Sequence, residues 1–320
     1  MRKVLSCIFL LGLGWAGLLR AEDGISADEV VSRIRTGLSM LDYKGTMTYI
    51  RGDDATTLSI QHRLHEGVEQ EYVQTMEGQR RETLRWGPRV VCLDVEQGRD
   101  VVRLISTRSQ SQPDVVNSEG LNRVYMVHPL GGEKLAGRES EKYHLMAVDE
   151  YRYSQMVWLD SVSGLPLRSV ILDREGQVLE SVQFSGLELD PDFTPEFEAK
   201  FASFEQFFLQ NDGQKAVPQT IAGWNPGWLP DAFHPAVSTL LPGEEAAGDG
   251  LAYTDGLSRF TVFVEPPGAG QMPEGSSRKG ATTALTRHHV TLGQRYAITV
   301  IGEIPLVTAI RVVDNMRMGE

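Results

Sequence analysis

Cysteine is almost missing: of 320 residues, only Cys7 and Cys92 carry a thiol. Cys7 sits near the start of an apolar run, Val4 to Leu19, that follows Arg2 and Lys3 and reads as a secretory signal peptide. The run is shorter than the ~20 apolar residues a bilayer-spanning helix needs, and Glu22 and Asp23 follow it. Cleavage after Ala21 is therefore expected, although Leu19-Arg20-Ala21 matches the usual small-residue site poorly. A lipid-modified cysteine would stand behind the apolar region, so Cys7 argues against a lipid anchor. Cys92 then remains alone, which excludes an intramolecular disulfide and leaves the fold to its cores. With no activating neighbours, Cys92 reads as a small buried hydrophobe in a strand.

Long hydrophobic runs are also missing beyond the leader, which predicts a product free in the periplasm. Positive charge is short. Lys and Arg number 31 against 43 Asp and Glu, and losing Arg2, Lys3 and Arg20 takes the net charge from −12 to −15. Such a surface argues against nucleic acid and favours basic partners or plain solubility. No Gly-x-Ser-x-Gly elbow occurs, and Gly131-Gly132 lacks the spacing that cradles phosphate. His62 and His65, three apart in a strand pattern, fall on opposite faces, and adjacent His288 and His289 do the same. Asp190, Asp192, Thr194 and Glu196 alternate as calcium ligands can, yet Pro191, Pro195 and a missing glycine break the EF-hand pattern. Catalysis has no positive support, and no cofactor or metal is expected.

What is present is mostly strand. Val30, Val31, Ile34, Leu38 and Leu41 recur at three- and four-residue steps behind Ser26 and Glu29, predicting one amphipathic helix with a capping box. Alternating, β-branched segments follow at 45–50, 57–64, 69–76, 82–86 and 90–95, then at 142–148, 154–160, 166–173 and 178–187. Residues 97–120 read as a polar, irregular loop. Asp190-Pro191 to Pro195 ends this region, and Asn211 to Pro218 reads as a linker. Alternation resumes at 257–265, 289–290, 296–302 and 306–313, the last with helical character. The fold class is thus α+β, mostly β. The expected divisions are a leader at 1–21, a first domain at 22–208, a linker at 209–220 and a mixed α and β domain at 221–320.

Large apolar residues concentrate in the first set of strands: Met47, Tyr49, Tyr72, Met76, Trp86, Met126, Tyr143, Met156, Trp158 and Phe184. They fit either an ordinary sheet core packed by the helix, or a half-open antiparallel β-barrel with covering helices whose interior takes acyl chains. For the second reading, Met47, Tyr49, Tyr72, Trp86, Met156, Trp158 and Phe184 would line the pocket.

Trp224-Asn-Pro-Gly-Trp-Leu-Pro230, Tyr253 to Glu265 and Val300-Ile-Gly-Glu-Ile-Pro305 resemble the C-terminal domain of the RseB/MucB regulators. Tyr43 to Ile50, Trp158 to Arg168 and Glu175 to Glu180 are similar to that family's N-terminal domain. The resemblance spans nearly the whole chain behind the leader, in order. It implies a first domain shaped like the LolA/LolB lipoprotein carriers, an unclosed barrel with a helical lid, joined to a smaller partner-binding domain. It implies a periplasmic negative regulator that binds the periplasmic segment of a membrane anti-sigma factor (RseA/MucA-like) and shields it from proteolysis. Release would follow the arrival of lipopolysaccharide or mislocalised lipoprotein. Trp228, Tyr253, Arg259, Phe260 and Phe263 are the expected partner contacts, because aromatics and arginine anchor interfaces. Phe260 and Phe263 fall on opposite faces of a regular strand, so one of them belongs to the core. The carrier without a regulatory role is the alternative, and self-association stays open.

Overall fold

The computed structural model describes residues 24–87, 89–96, 99–107, 120–210, 223–236, 238–240, 250–268 and 270–319. The expected leader and most of the expected linker lie outside them. The first part of the chain runs α1 (Ala27–Met40), β1 (Tyr43–Arg51), β2 (Asp54–His65), β3 (Val68–Thr75), β4 (Arg81–Trp86), β5 (Arg89–Glu96) and β6 (Arg99–Thr107). It continues through α2 (Leu121–Val124), β7 (Tyr125–Leu135), β8 (Arg138–Ala147), β9 (Ser154–Asp160), β10 (Pro166–Leu172), β11 (Val178–Leu189) and α3 (Pro195–Gln210). The second part holds β12 (Trp224–Pro226), β13 (His234–Ala236), β14 (Ser238–Leu240), β15 (Gly250–Thr254), β16 (Arg259–Glu265), β17 (Gly275–Lys279), β18 (Thr282–Thr291), β19 (Gln294–Gly302), α4 (Leu306–Asp314) and β20 (Met316–Met318).

Twelve antiparallel strands form one sheet in the order β14-β6-β5-β4-β3-β2-β1-β11-β10-β9-β8-β7. Two meanders meet where β1 pairs β11, and the edge strands β7 and β14 do not pair, so the sheet stays unclosed. Tight turns explain the meanders, since antiparallel neighbours need only a short connection. The strand register shifts at several points of the sheet, among them a bulge in β7 between Pro129 and Gly132. A Cβ on Gly132 would lie 2.0 Å from the Ser140 carbonyl oxygen, so only glycine allows that approach. Residues 99–107, expected as loop, instead form β6.

Two helices cover the sheet on opposite sides. Ser26 caps α1 by accepting from the Glu29 backbone N–H at 3.2 Å, as the capping pattern implied. Val31, Ile34 and Leu38 of α1 then face the concave wall of the sheet. On the other face, α3 seats Phe197 and Phe201 against Tyr72 and Leu84. Its N-terminal turns are held by ion pairs, Arg63 to Glu198 and Lys200 Nζ to Glu82 at 2.7 Å. Helix α3 was not expected from the Asp190 to Pro195 region, yet Phe193, Phe197, Phe201 and Phe204 carry the three- and four-residue steps of a helical stripe.

The second part forms a six-stranded antiparallel sheet, β13-β15-β16-β19-β18-β17, with α4 packed on β18 and β19. Phe260, Val262, Val264, Ile298, Val300, Val312 and Val313 make its core. Strand β14 leaves this unit to pair with β6, so the chain's second part extends the first part's sheet.

Candidate ligand cavity and domain seam

A cavity of about 330 Å³ lies between α1 and the concave face of the large sheet. Its apolar wall includes Ile34, Leu38, Met47, Ile60, Val157 and Phe184. Gly256, Leu257 and Glu303 reach it from the second part of the chain, so the cavity is shared by both. Polar groups concentrate on neighbouring strands: Tyr43 from β1, His62 from β2, Glu69 and Glu71 from β3, and Arg85 from β4. Tyr43 is fully buried, stacked on the His62 ring at 4.9 Å. Burial, followed by Glu71 and Glu69, pushes its hydroxyl well above the ordinary tyrosine value. Burial and then Glu180 likewise raise the Glu303 carboxyl, with Arg51 and Arg259 opposing.

The two parts of the chain are joined by a buried polar seam. Arg152, 1% exposed, donates from Nη1 to Asp255 Oδ2 at 2.6 Å and from Nη2 to the Asp231 carbonyl at 2.6 Å. Tyr125 donates to the same Asp255 oxygen at 3.1 Å, while Asp255 Oδ1 accepts the N–H groups of Leu257 and Ser258. Burial pulls the Arg152 guanidinium down, but Asp255, Asp149 and Tyr125 outweigh it and hold it above its usual value. This one carboxylate therefore both fixes the turn carrying Leu257 over the cavity and ties that turn to the first sheet. A second contact places the Ala281 N–H on Glu180 Oε1 at 2.9 Å, and Tyr49 donates to Glu180 Oε2 at 2.6 Å.

Of the residues expected to line an acyl pocket, Met47 and Phe184 line this cavity. Met156 and Trp158 do not: Val157 faces the cavity and its neighbours face away. Trp158 is instead sandwiched between Lys142 and Arg168, each 4.6 Å from its ring centre. Tyr72 and Trp86 pack under α3, where Glu71 and Arg85, one residue earlier, face the cavity. Tyr49 belongs to the seam through Glu180. The physical reason is strand alternation: a choice by apolar size selects heavy side chains whichever face they stand on, and in β3, β4 and β9 that is the face turned away from the cavity.

Among the expected partner contacts, Tyr253 and Phe260 are core residues, 4% and 1% exposed, and they stack at 5.3 Å. Burial raises the Tyr253 hydroxyl to about 12. Neither offers a surface in this structure. Phe263 and Arg259 lie on the opposite face of β16, half-buried, and Phe260 is the member of the phenylalanine pair that enters the core. Trp228 is engaged within the chain, edge-on to Tyr151 at 5.0 Å with the Arg311 guanidinium 4.2 Å over its ring. Glu69, Glu71, Arg85, Arg152 and Asp255 were missed. Their two-residue periodicity places each on a face, but only pairing reveals which face is concave.

Two family profiles cover this architecture: one described as the MucB/RseB N-terminal domain matches residues 26–205, and one described as the MucB/RseB C-terminal domain matches residues 218–317. The chain belongs to the MucB/RseB family. Within the family, the sigma factor AlgU regulatory protein MucB of Pseudomonas aeruginosa is 29% identical over 320 residues, 96% of both chains. The sigma-E factor regulatory protein RseB of Haemophilus influenzae is 27% identical, again over 96% of both. The solved complex of Pseudomonas aeruginosa MucA/MucB superimposes with a TM-score of 0.67 at 25% identity, covering 92% of this chain and 99% of that one. The unclosed large sheet and separate small sheet are thus the MucB/RseB architecture, and the family is one of regulatory binding proteins. Among the described residues, no helix is long and apolar enough to cross a membrane.

Proposed function

We propose that this chain is a periplasmic negative regulator that binds the periplasmic segment of a membrane anti-sigma factor, shields it from proteolysis and so restrains the sigma-E envelope stress response. The observation that carries the reading is similarity along nearly the whole chain to a protein solved as the MucA/MucB complex. Signal-peptide character at residues 1–21 supports the compartment. Residues 22–208 act as the sensor and 221–320 as the partner-binding unit. Arg259 and Phe263, half-buried on β16, are the contacts best placed to meet a partner, whereas Tyr253 and Phe260 shape the sheet beneath them.

Acyl lipid or lipoprotein binds the cavity under α1 in this reading, and its apolar wall supports that ligand class. Partner and lipid form two linked equilibria: the lipid releases the partner by preferring the conformation that holds it poorly. The shared lining by Leu257 and the Arg152–Asp255 seam supports such linkage, because a ligand at Leu257 bears on the turn that joins the two units.

Capture of the anti-sigma factor's periplasmic segment on the full-length mature chain tests the reading. Retention of the segment, and its protection from an added protease, are expected. No retention would sink the regulator, and acyl-lipid binding without retention would leave a carrier of acylated cargo.

A further inference from the structure

Tyr43 pairs His62, His62 pairs Glu71 and Glu71 pairs Arg85, so one polar row crosses four neighbouring strands of the concave face. Glu69 stands two residues from Glu71 on the same face, and all five side chains line the cavity. The row is incompletely satisfied. His62 Nδ1 lies 2.8 Å from the Leu41 carbonyl oxygen, but Arg85 reaches Glu71 only through Nε at a long 3.5 Å. Tyr43 Oη, Glu69 Oε1 and Arg85 Nη1 are buried with no hydrogen-bond partner in the chain. Buried polar atoms are ordinarily paired, and an unpaired set converging on one cavity points to a partner supplied from outside.

The charges around the cavity select the class of that partner. Arg35 and Arg85 face Glu69, Glu71 and Glu303 across it, and Arg259 of β16 stands close enough to Arg85 for the two guanidinium groups to oppose each other's charge. A bare anion would meet the carboxylates, and a bare cation would meet the arginines. A neutral group with both a donor and an acceptor serves the whole row: an oxygen accepts from Arg85 and Tyr43, and an O–H or N–H donates to Glu69.

We propose that Tyr43, Glu69 and Arg85 are specificity-determining residues that select an acyl amphiphile with a neutral hydroxyl- or amide-bearing head, its chain lying along Ile34, Leu38, Met47 and Val157. The proposal rests on the acyl-ligand reading of the cavity given above. Calorimetry on the full-length mature protein with monododecanoylglycerol, dodecanoate and methyl dodecanoate, each below its micelle concentration, tests it. Monododecanoylglycerol is expected to bind on the order of tenfold tighter than the other two. Tyr43→Phe and Arg85→Met should each erase that preference while methyl dodecanoate binding persists. Equal affinity of the wild-type protein for all three probes, or tightest binding of dodecanoate, overturns the proposal. Binding of none overturns the acyl reading and the proposal with it. Tyr43→Phe changes only one oxygen, so the test survives if Arg85→Met fails to fold.

Discussion

Asp160 is a carboxylate whose hydrogen-bond donors favour its charged form. Burial alone would raise its pKa, but the Arg138 guanidinium at 2.6 Å and the Ser163 backbone and hydroxyl donors lower it to about 2. Because the folded value lies below the ordinary 3.8, the stabilisation is present above pH ~4 and is lost as pH falls towards 2. Urea unfolding of Asp160→Asn against the unmodified chain should differ by roughly 2 kcal/mol at pH 7 and converge near pH 2. A difference that persists unchanged at low pH would remove the charge from the account. Arg152 is held differently, by burial that leaves no solvent to replace a lost partner. Arg152→Met strands the Asp255 carboxylate, and a cost of about 3 kcal/mol or more is expected in denaturant unfolding. Arg152→Met combined with Asp255→Asn should cost less than the two single changes added together, since the double variant leaves no lone buried charge.

At the scale of elements, α3 and the β17–β18 turn hold the large sheet from two sides. Phe197 of α3 is 1% exposed where it packs on the sheet, and Phe197→Ala should cost about 3–5 kcal/mol by urea unfolding, because the sheet face beneath cannot collapse into the void. Gly280, in the β17–β18 turn, adopts a φ of +58°, and a Cβ there would lie 2.4 Å from Arg51 Cγ and 2.6 Å from Glu180 Oε1. Gly280→Ala should therefore destabilise by about 1–3 kcal/mol and loosen the Ala281 to Glu180 hydrogen bond, readable as faster amide exchange at Ala281. Element by element, α1 and its Ser26 cap were legible from spacing alone, as were the strands around β1 and β2. Helix α3 was not, because two prolines at Pro191 and Pro195 read as an ending when Pro195 in fact opens a helix. Which residues of β3, β4 and β9 face the cavity was not legible either. Alternation divides a strand into two faces, and only α3 on one side and α1 on the other decide which face is the cavity.

For the molecule as a whole, the large and small sheets meet at Arg152–Asp255, at Glu180–Ala281 and where Trp228 packs on Tyr151. If acyl ligand and partner are coupled through these contacts, each must weaken the other by the same factor, in the range of about 5- to 150-fold. Titrating the partner segment with and without saturating monododecanoylglycerol, and the reverse, measures both factors, and unequal values would exclude a single linked equilibrium. Asp255→Asn should shrink both factors together.

The amino-acid sequence by itself determined the acidic charge, the antiparallel meander and the family, because these rest on composition, two-residue alternation and motifs read in chain order. The tertiary structure decided the rest. It put Val157 rather than Trp158 into the cavity, turned Tyr253 and Phe260 into core, and lined Tyr43, His62, Glu71 and Arg85 into one row. Those residues are far apart in the chain, and only the register of neighbouring strands, with a helix on each side of the sheet, brings their chemistry to one place.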